Sequence, residues 1–376
     1  MTFRKFTIAA GVAAVGVAGA LSVSVFTQPE PVAAAMGPVM IDVSAKPARN
    51  ISEYNLFKDP ARQIPNDGVV PYDLNSPLFS DYAAKHRFVY VPEGQQARYD
   101  DKEVFDFPVG SVIVKTFAFL NDMNDPAKGE RIIETRLLVH KPDGWVGLPY
   151  VWNEDVTEAR LAVAGGRAEV SWIHTDGSER EVNYIVPNMN QCKQCHENAG
   201  ALQPIGPKAR HLNKDYAYES GAENQLVHWS KTGILDGLPE DVETAPRCAV
   251  WDDPASGTLD ERARAYLDIN CAHCHNPDGP AHTSGLDLTF YEDDPFRWGV
   301  YKAPVAAGRG SGGHLYGILP GKPEQSILLH RMESVDPGVM MPQLPRTLVH
   351  EEGNALIRDW IADMKPEDFP LPEQGS

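Results

Sequence analysis

Residues 258–275 read TLDERARAYLDINCAHCH, and the fold of the C-terminal half turns on them. Thr258 is a strong helix N-cap, and Glu261 three positions on completes a capping box, each side chain taking up a backbone N–H at the other's position. Behind the cap, Leu259, Ala263, Tyr266 and Leu267 fall on one helical face. The spacing predicts a helix over 258–270 that runs directly into Cys271-Ala272-His273-Cys274-His275. A second amphipathic stretch begins near Glu351 and carries Ile357, Trp360, Ile361 and Met364 before Pro366 stops it. Another helix is predicted to begin near Pro323 and pass through Ser326-Ile327-Leu328-Leu329.

The same pentapeptide pattern occurs earlier, as Cys192-Lys193-Gln194-Cys195-His196. Two cysteines separated by two residues can add their thiols to the two vinyl groups of one haem, and the adjacent histidine is then held over the iron as its proximal ligand. Competing readings fare worse. Zinc ribbons pair Cys-x-x-Cys units about 15–20 residues apart, whereas Cys195 and Cys271 are 76 positions apart. A thioredoxin-type dithiol calls for a βαβ setting, and none is visible. The expected cofactors are therefore two covalently bound haem c groups, attached at Cys192, Cys195, Cys271 and Cys274, with His196 and His275 as metal ligands.

The first 35 residues carry an export signature. Arg4 and Lys5 form a basic start, residues 7–26 are nearly all small or apolar, and Ala33-Ala34-Ala35 offers a small-residue cleavage site. Cleavage after Ala35 places the protein in the periplasm; uncleaved, the segment would be its one membrane attachment. The chain has a formal charge of −18. Cleavage would remove two cations and one anion, leaving −19. Such a surface repels nucleic acid and anionic membrane and favours basic redox partners.

Between these ends the texture changes twice. Residues 36–100 read as irregular, with scattered Pro, Asn, Asp and Gly among short apolar runs such as Phe88-Val89-Tyr90-Val91. From 104 to 186, Ser111–Leu120, Arg131–His140, Trp145–Trp152 and Ala168–Ile173 are rich in β-branched and aromatic residues and separated by turn chemistry such as Pro142-Asp143-Gly144. They predict an antiparallel sheet, sandwich or small barrel. After Pro187 helical signals dominate, including Glu223–Leu235. The expected fold is a multidomain α and β protein: a signal peptide (1–35), an antiparallel β-rich domain (36–187), a first haem-binding segment (188–250), a mainly α cytochrome c domain with the second haem (251–366) and a tail (367–376).

Ala263-Arg264-Ala265-Tyr266-Leu267, Asn276-Pro277-Asp278-Gly279-Pro280, Pro320-Gly321-Lys322-Pro323-Glu324 and Met341-Pro342 resemble haem domains of the class I-type cytochrome c superfamily. The resemblance implies Met341, 66 residues after His275, as the sixth ligand of the second haem. Nearly the whole chain after the leader is similar to a family of periplasmic dihaem c-type cytochromes with a β-rich N-terminal half and no assigned reaction. Val114-Lys115-Thr116-Phe117, Ile133–Leu138 and Leu148–Asn153 carry that likeness, with Asn224-Gln225-Leu226 and Arg262–Leu267.

For the first haem, His228 is the first choice of sixth ligand, 32 residues after His196, followed by His211 and Met189, or by no protein ligand at all. For the second, His314, His330 and His350 stand as alternatives to Met341. Cys248, left over from the four thioethers, reads as a free, partly buried thiol without a catalytic His or Asn/Asp pattern around it. Lys115, Glu134 and Arg136 alternate along strands and read as solvent-face residues, one of which could enter a haem pocket. Arg309 lies in a Gly-rich stretch that reads as a flexible loop, with contact to a haem propionate as the alternative. The function expected is transfer of single electrons between redox partners. Its rivals are a haem oxidoreductase with an open iron at the first site, and a binding module with an electron-transfer half appended.

Overall fold

Six strands build the main sheet: β1 (Val69–Tyr72), β2 (Ala84–Tyr90), β3 (Val112–Leu120), β4 (Glu130–Lys141), β5 (Gly144–Trp152) and β6 (Ala159–Leu161). In this computed structural model, which describes residues 37–344 and 346–370, they lie in sequence order and every neighbouring pair is antiparallel. The central strands match those predicted to within a residue or two. The region read as irregular does not stay so: β1 and β2 lie inside it. Their short apolar runs reach strand length only because β3 offers a partner ladder, with Phe88 opposite Val114 and Val89 opposite Ile113.

Period-2 alternation sends Val112, Val114, Leu137 and Tyr150 to one face, where they pack with Tyr54, Leu56 and Phe57. The other face divides along the strands into three zones. Val89, Ile113 and Leu138 form an apolar row. Next come Arg87, Lys115 and Arg136, paired directly across β2, β3 and β4. Beyond them Phe117, Phe119 and Ile133 pack with Trp172 and Tyr184 of a hairpin, β7 (Gly166–Ile173) and β8 (Glu179–Val186). The β3–β4 ladder slips between Phe117 and Ala118. This bulge turns two consecutive residues of β4 to the hairpin side: Ile133 joins its apolar cluster, and Glu134 accepts a hydrogen bond from Tyr184.

The helical half supplies α1 (Cys192–His196), α2 (Gln225–Lys231), α3 (Leu259–Leu267), α4 (Ile327–Glu333) and α5 (Glu351–Asp363). The capping box at α3 is present, with the Glu261 N–H donating to Thr258 Oγ1 at 3.2 Å and the Thr258 N–H to Glu261 Oε2 at 2.8 Å. α3 continues as a π-helical turn over Asp268–Ala272 that delivers the second pentapeptide. α2 is shorter than predicted. Asn224 caps its start, and Gly233, at φ +76°, lies just beyond its end. α3, α4 and α5 share a core of Tyr266, Leu267, Leu329, Ile357, Trp360 and Ile361, against which Cys271 packs.

The described residues form one compact unit. Its largest apolar cluster draws Tyr72 and Ile113 from the β region, Leu212 and Trp229 from the segment after the first pentapeptide, and Ile269 from the turn before the second. The parts expected as separate domains therefore share a core. The signal-peptide expectation lies outside the described residues. Among the described residues no helix is long and apolar enough to cross a membrane.

Candidate functional site

The first pentapeptide is placed by the end of β8. Pro187 ends that strand's run, and Asn188 then opens a 3₁₀ turn through a capping box with Gln191, the two side chains bonding each other's backbone N–H at 2.8 and 2.9 Å. α1 follows at once. Because i, i+3 and i+4 positions share one helical face, Cys192, Cys195 and His196 project together, and all three line one cavity against the sheet. β5 closes over Cys192 at Gly147, where a Cβ would stand 2.8 Å from the Cys192 sulfur. A side chain there would push the thiol off the sheet.

His196 Nδ1 lies 2.7 Å from the Gln203 carbonyl oxygen. A carbonyl only accepts, so Nδ1 carries the proton and Nε2 keeps its lone pair. Burial, with help from the Lys115 charge, pushes this imidazole down to about 3, so it is neutral at ordinary pH. The second pentapeptide repeats the arrangement. His275 Nδ1 lies 3.0 Å from Ser284 Oγ, whose own proton goes to the Ala281 carbonyl at 2.8 Å. The serine oxygen is therefore the acceptor, and His275 also presents a free Nε2. Burial pushes it down to about 4. In metal-binding histidines this committed Nδ1–H fixes the ring and raises the basicity of the ligating nitrogen. After the second motif, Gly279 lets the chain turn back on itself, since a Cβ there would meet the Cys274 carbonyl at 2.4 Å.

The thiols do not have the character of a redox dithiol. All five cysteines are unpaired. Burial raises Cys192 and Cys195 above the usual thiol range and pushes Cys271 and Cys274 up to about 12. Reactive Cys-x-x-Cys pairs depend on the opposite shift. Among the described residues no three His, Cys, Asp or Glu side chains converge as a metal cage. An iron held by four porphyrin nitrogens asks for at most two protein ligands, and the residues here fit that demand.

Although 76 positions separate Cys195 from Cys271, the two motifs meet. The Cys274 thiol donates to the Gln194 carbonyl at 3.4 Å, and the Ala199 N–H donates to the Asp278 carbonyl at 2.9 Å. A second cavity is lined from both sides, by Cys195 and His196 of one motif and by His273 and Asn276 around the other.

The proposed sixth ligands divide. His228 is not brought to the site. It stacks on Tyr218 with ring centres 3.5 Å apart, bonds Glu223 through Nδ1 at 3.0 Å, and does not line the cavity that holds His196. The helix turns Leu226 and Trp229 into the core and leaves His228 at the β-hairpin beside it. Met189 packs in the core on the far face of the sheet. Met341 sits on the loop ahead of α5. Arg346 fixes its backbone by donating to its carbonyl at 2.7 Å. Met340 is buried and Met341 half-buried. His350 is packed against Phe79 at 4.1 Å and bonded to the Tyr266 hydroxyl at 2.9 Å.

Three readings of individual residues need correction. Lys115, Glu134 and Arg136 do not face solvent: Lys115 and Arg136 line the first cavity, and Glu134 is fully buried. Alternation told which residues share a face, and the hairpin and α1 cover that face. Cys248 does have partners. Its sulfur is 3.3 Å from His211 Nδ1, and His211 Nε2 is 2.8 Å from Asp268. These residues lie far apart in sequence, so no motif announced them. Arg309 pairs with Asp336 at 2.9 Å on the surface.

In comparisons with known proteins, the chain matches no family profile, no curated sequence and no solved structure.

Proposed function

We propose that the protein is an exported dihaem c-type cytochrome that passes single electrons between periplasmic redox partners. The observation that carries the reading is the meeting of two Cys-x-x-Cys-His turns, each with its histidine Nδ1–H committed to an acceptor and its Nε2 free. Cys192 and Cys195 would hold one haem and Cys271 and Cys274 the other, with His196 and His275 as proximal ligands and Met341 as sixth ligand at the second. The bound groups would supply reversible one-electron iron chemistry. The residues of the chain fix the ligand tautomers, bury the thioether edges and bring the two attachment turns into contact, which favours rapid exchange between centres. The C-terminal helices α3 and α5, packed together around the second motif, support a cytochrome c fold for residues 251–366.

Denatured mature protein should keep its haem and give a c-type pyridine haemochrome of two haems per chain. A value of one, or haem lost to acid-acetone, would sink the reading. Cys192→Ala and Cys271→Ala should each remove about one haem and leave the other motif loaded.

A further inference from the structure

The cavity that receives Cys192, Cys195 and His196 gathers four basic side chains. It is lined along the sheet by Lys85, Arg87, Lys115 and Arg136. Arg87, Lys115 and Arg136 are direct cross-strand neighbours, an arrangement that costs stability when the charges are alike. Two of the four cations are answered. Arg87 donates to Asp73 at 2.8 Å, and Arg136 grips Glu134 through both Nε and Nη2 at 3.0 and 2.5 Å. Lys85 donates only to the Ala83 carbonyl, and Lys115 Nζ makes no hydrogen bond among the described residues. Both lysine amines and the Arg136 guanidinium gather around the Phe117 ring, at 5.8, 5.2 and 4.1 Å; burial and the neighbouring cations pull both lysines down, Lys115 to about 7, so an anion among them would restore their protons.

The lining is equally informative in what it offers iron. Besides His196, no imidazole and no thioether lines this cavity among the described residues. The histidine and methionine candidates from the sequence lie outside it: His228 bonds Glu223, Met189 packs against the core on the far face, and His211, bonded to Asp268, lines the neighbouring cavity with His273, which Cys195 and His196 reach but Cys192 does not.

We propose that the first haem site has an open sixth position and that Lys85, Lys115 and Arg136 make it a binding site for a small anion able to ligate ferric iron. The inference rests on the dihaem reading. Lys115 is the group with donors to spare and supplies the principal charged hydrogen bond. Phe117 holds the cations on the cavity side of β3. Arg136, fixed by Glu134, completes the positive face without moving. The chemical class of ligand is a small monoanion with a lone pair for the metal and a second atom to accept from an ammonium.

The test uses the ferric holoprotein with azide as the anion and imidazole as a neutral ligand, followed by absorption and EPR spectra. Azide should convert the first haem from high to low spin, and imidazole should bind as well. Lys115→Met should weaken azide about tenfold, the value of roughly one charged hydrogen bond, with imidazole affinity little changed. Lys115→Arg should restore azide binding. Lys85→Met should act in the same direction and serves if Lys115→Met does not fold. A first haem already six-coordinate through a lysine nitrogen, with no azide binding, overturns the proposal. So does azide affinity that is indifferent to Lys115 and Lys85, which would give those cations to the haem propionates. Absence of haem at Cys192 and Cys195, counted by pyridine haemochrome on the same samples, would instead be failure of the dihaem reading.

Discussion

Ser284 and Gln203 do the same job with different atoms, one a hydroxyl and the other a carbonyl. On the dihaem reading the hydrogen bond from His275 Nδ1 makes its Nε2 a stronger donor to iron and favours the ferric state. Ser284→Ala should therefore raise the potential of the second haem by tens of millivolts (about 59 mV per tenfold change for one electron) while leaving haem content intact. A redox titration reads both. The adjacent methionines separate in the same experiment. Met341→Ala should abolish the weak sulfur-to-iron band, lower the second potential and open that iron to added ligands. Met340→Ala should keep the spectrum and lose about 2–5 kcal/mol of stability, the usual cost of emptying a buried methionine site. The reverse outcome moves the ligand by one residue. No spectral change in either moves it to a histidine. At this scale the sequence was most legible where chemistry depends on adjacent residues, as in the two pentapeptides. It did not reach the surroundings of Lys115 and Cys248, which are assembled from distant strands and loops.

The π-helical turn Asp268–Ala272 illustrates how an element is held from outside itself. Asp268 is buried, yet it accepts from Arg210 Nε and Nη2 at 2.9 and 3.0 Å, from His211 at 2.8 Å and from the Phe290 N–H at 3.0 Å. Burial works against its charge, but the Arg210 guanidinium and the His211 contact outweigh it and hold the carboxyl well below the usual carboxylate range. Its contribution is thus fully present above the unfolded value near about 4 and is lost as pH falls toward the folded one. Asp268→Asn should cost roughly 3–5 kcal/mol near neutral pH, because Arg210 is left buried without its counter-charge. The variant's stability should also fall less steeply than wild type below about pH 4. Denaturant unfolding at several pH values checks both slopes. The capping box made α3 readable from sequence. The turn after it was not, because an Arg-Asp-His cluster reaching across from residues 210 and 211 leaves no periodic trace.

Over the whole molecule, a charge of −18 acts at long range, while the contact between the motifs acts at short range. The two should respond differently to salt. Electron exchange with a basic partner should slow markedly between low ionic strength and about 0.1 M, where the screening length falls to about 10 Å. Exchange between the two centres of one chain should stay constant. Stopped-flow reduction followed at both haem bands distinguishes them. The antiparallel sheet and the helices α3 and α5 were legible because period-2 and period-3.6 patterns are local. The division into domains was not, since Tyr72, Trp229 and Ile269 meet in one core, and such a meeting is invisible to any window moved along the chain. A fragment ending at residue 187 would leave Tyr72, Val89 and Ile113 without the side chains of Leu212 and Trp229 that cover them, and should associate or unfold when expressed alone.

The contact between Cys274 and the Gln194 carbonyl also bears on how the protein comes to be made. Each attachment turn forms part of the other's wall, and Cys271 is packed against the C-terminal helices. On the dihaem reading, attachment machinery would have to reach four sulfurs while they are still accessible. On that reading loading therefore belongs to the newly exported, open chain, and the joining of the two turns is a late event in biogenesis that seals what has been attached.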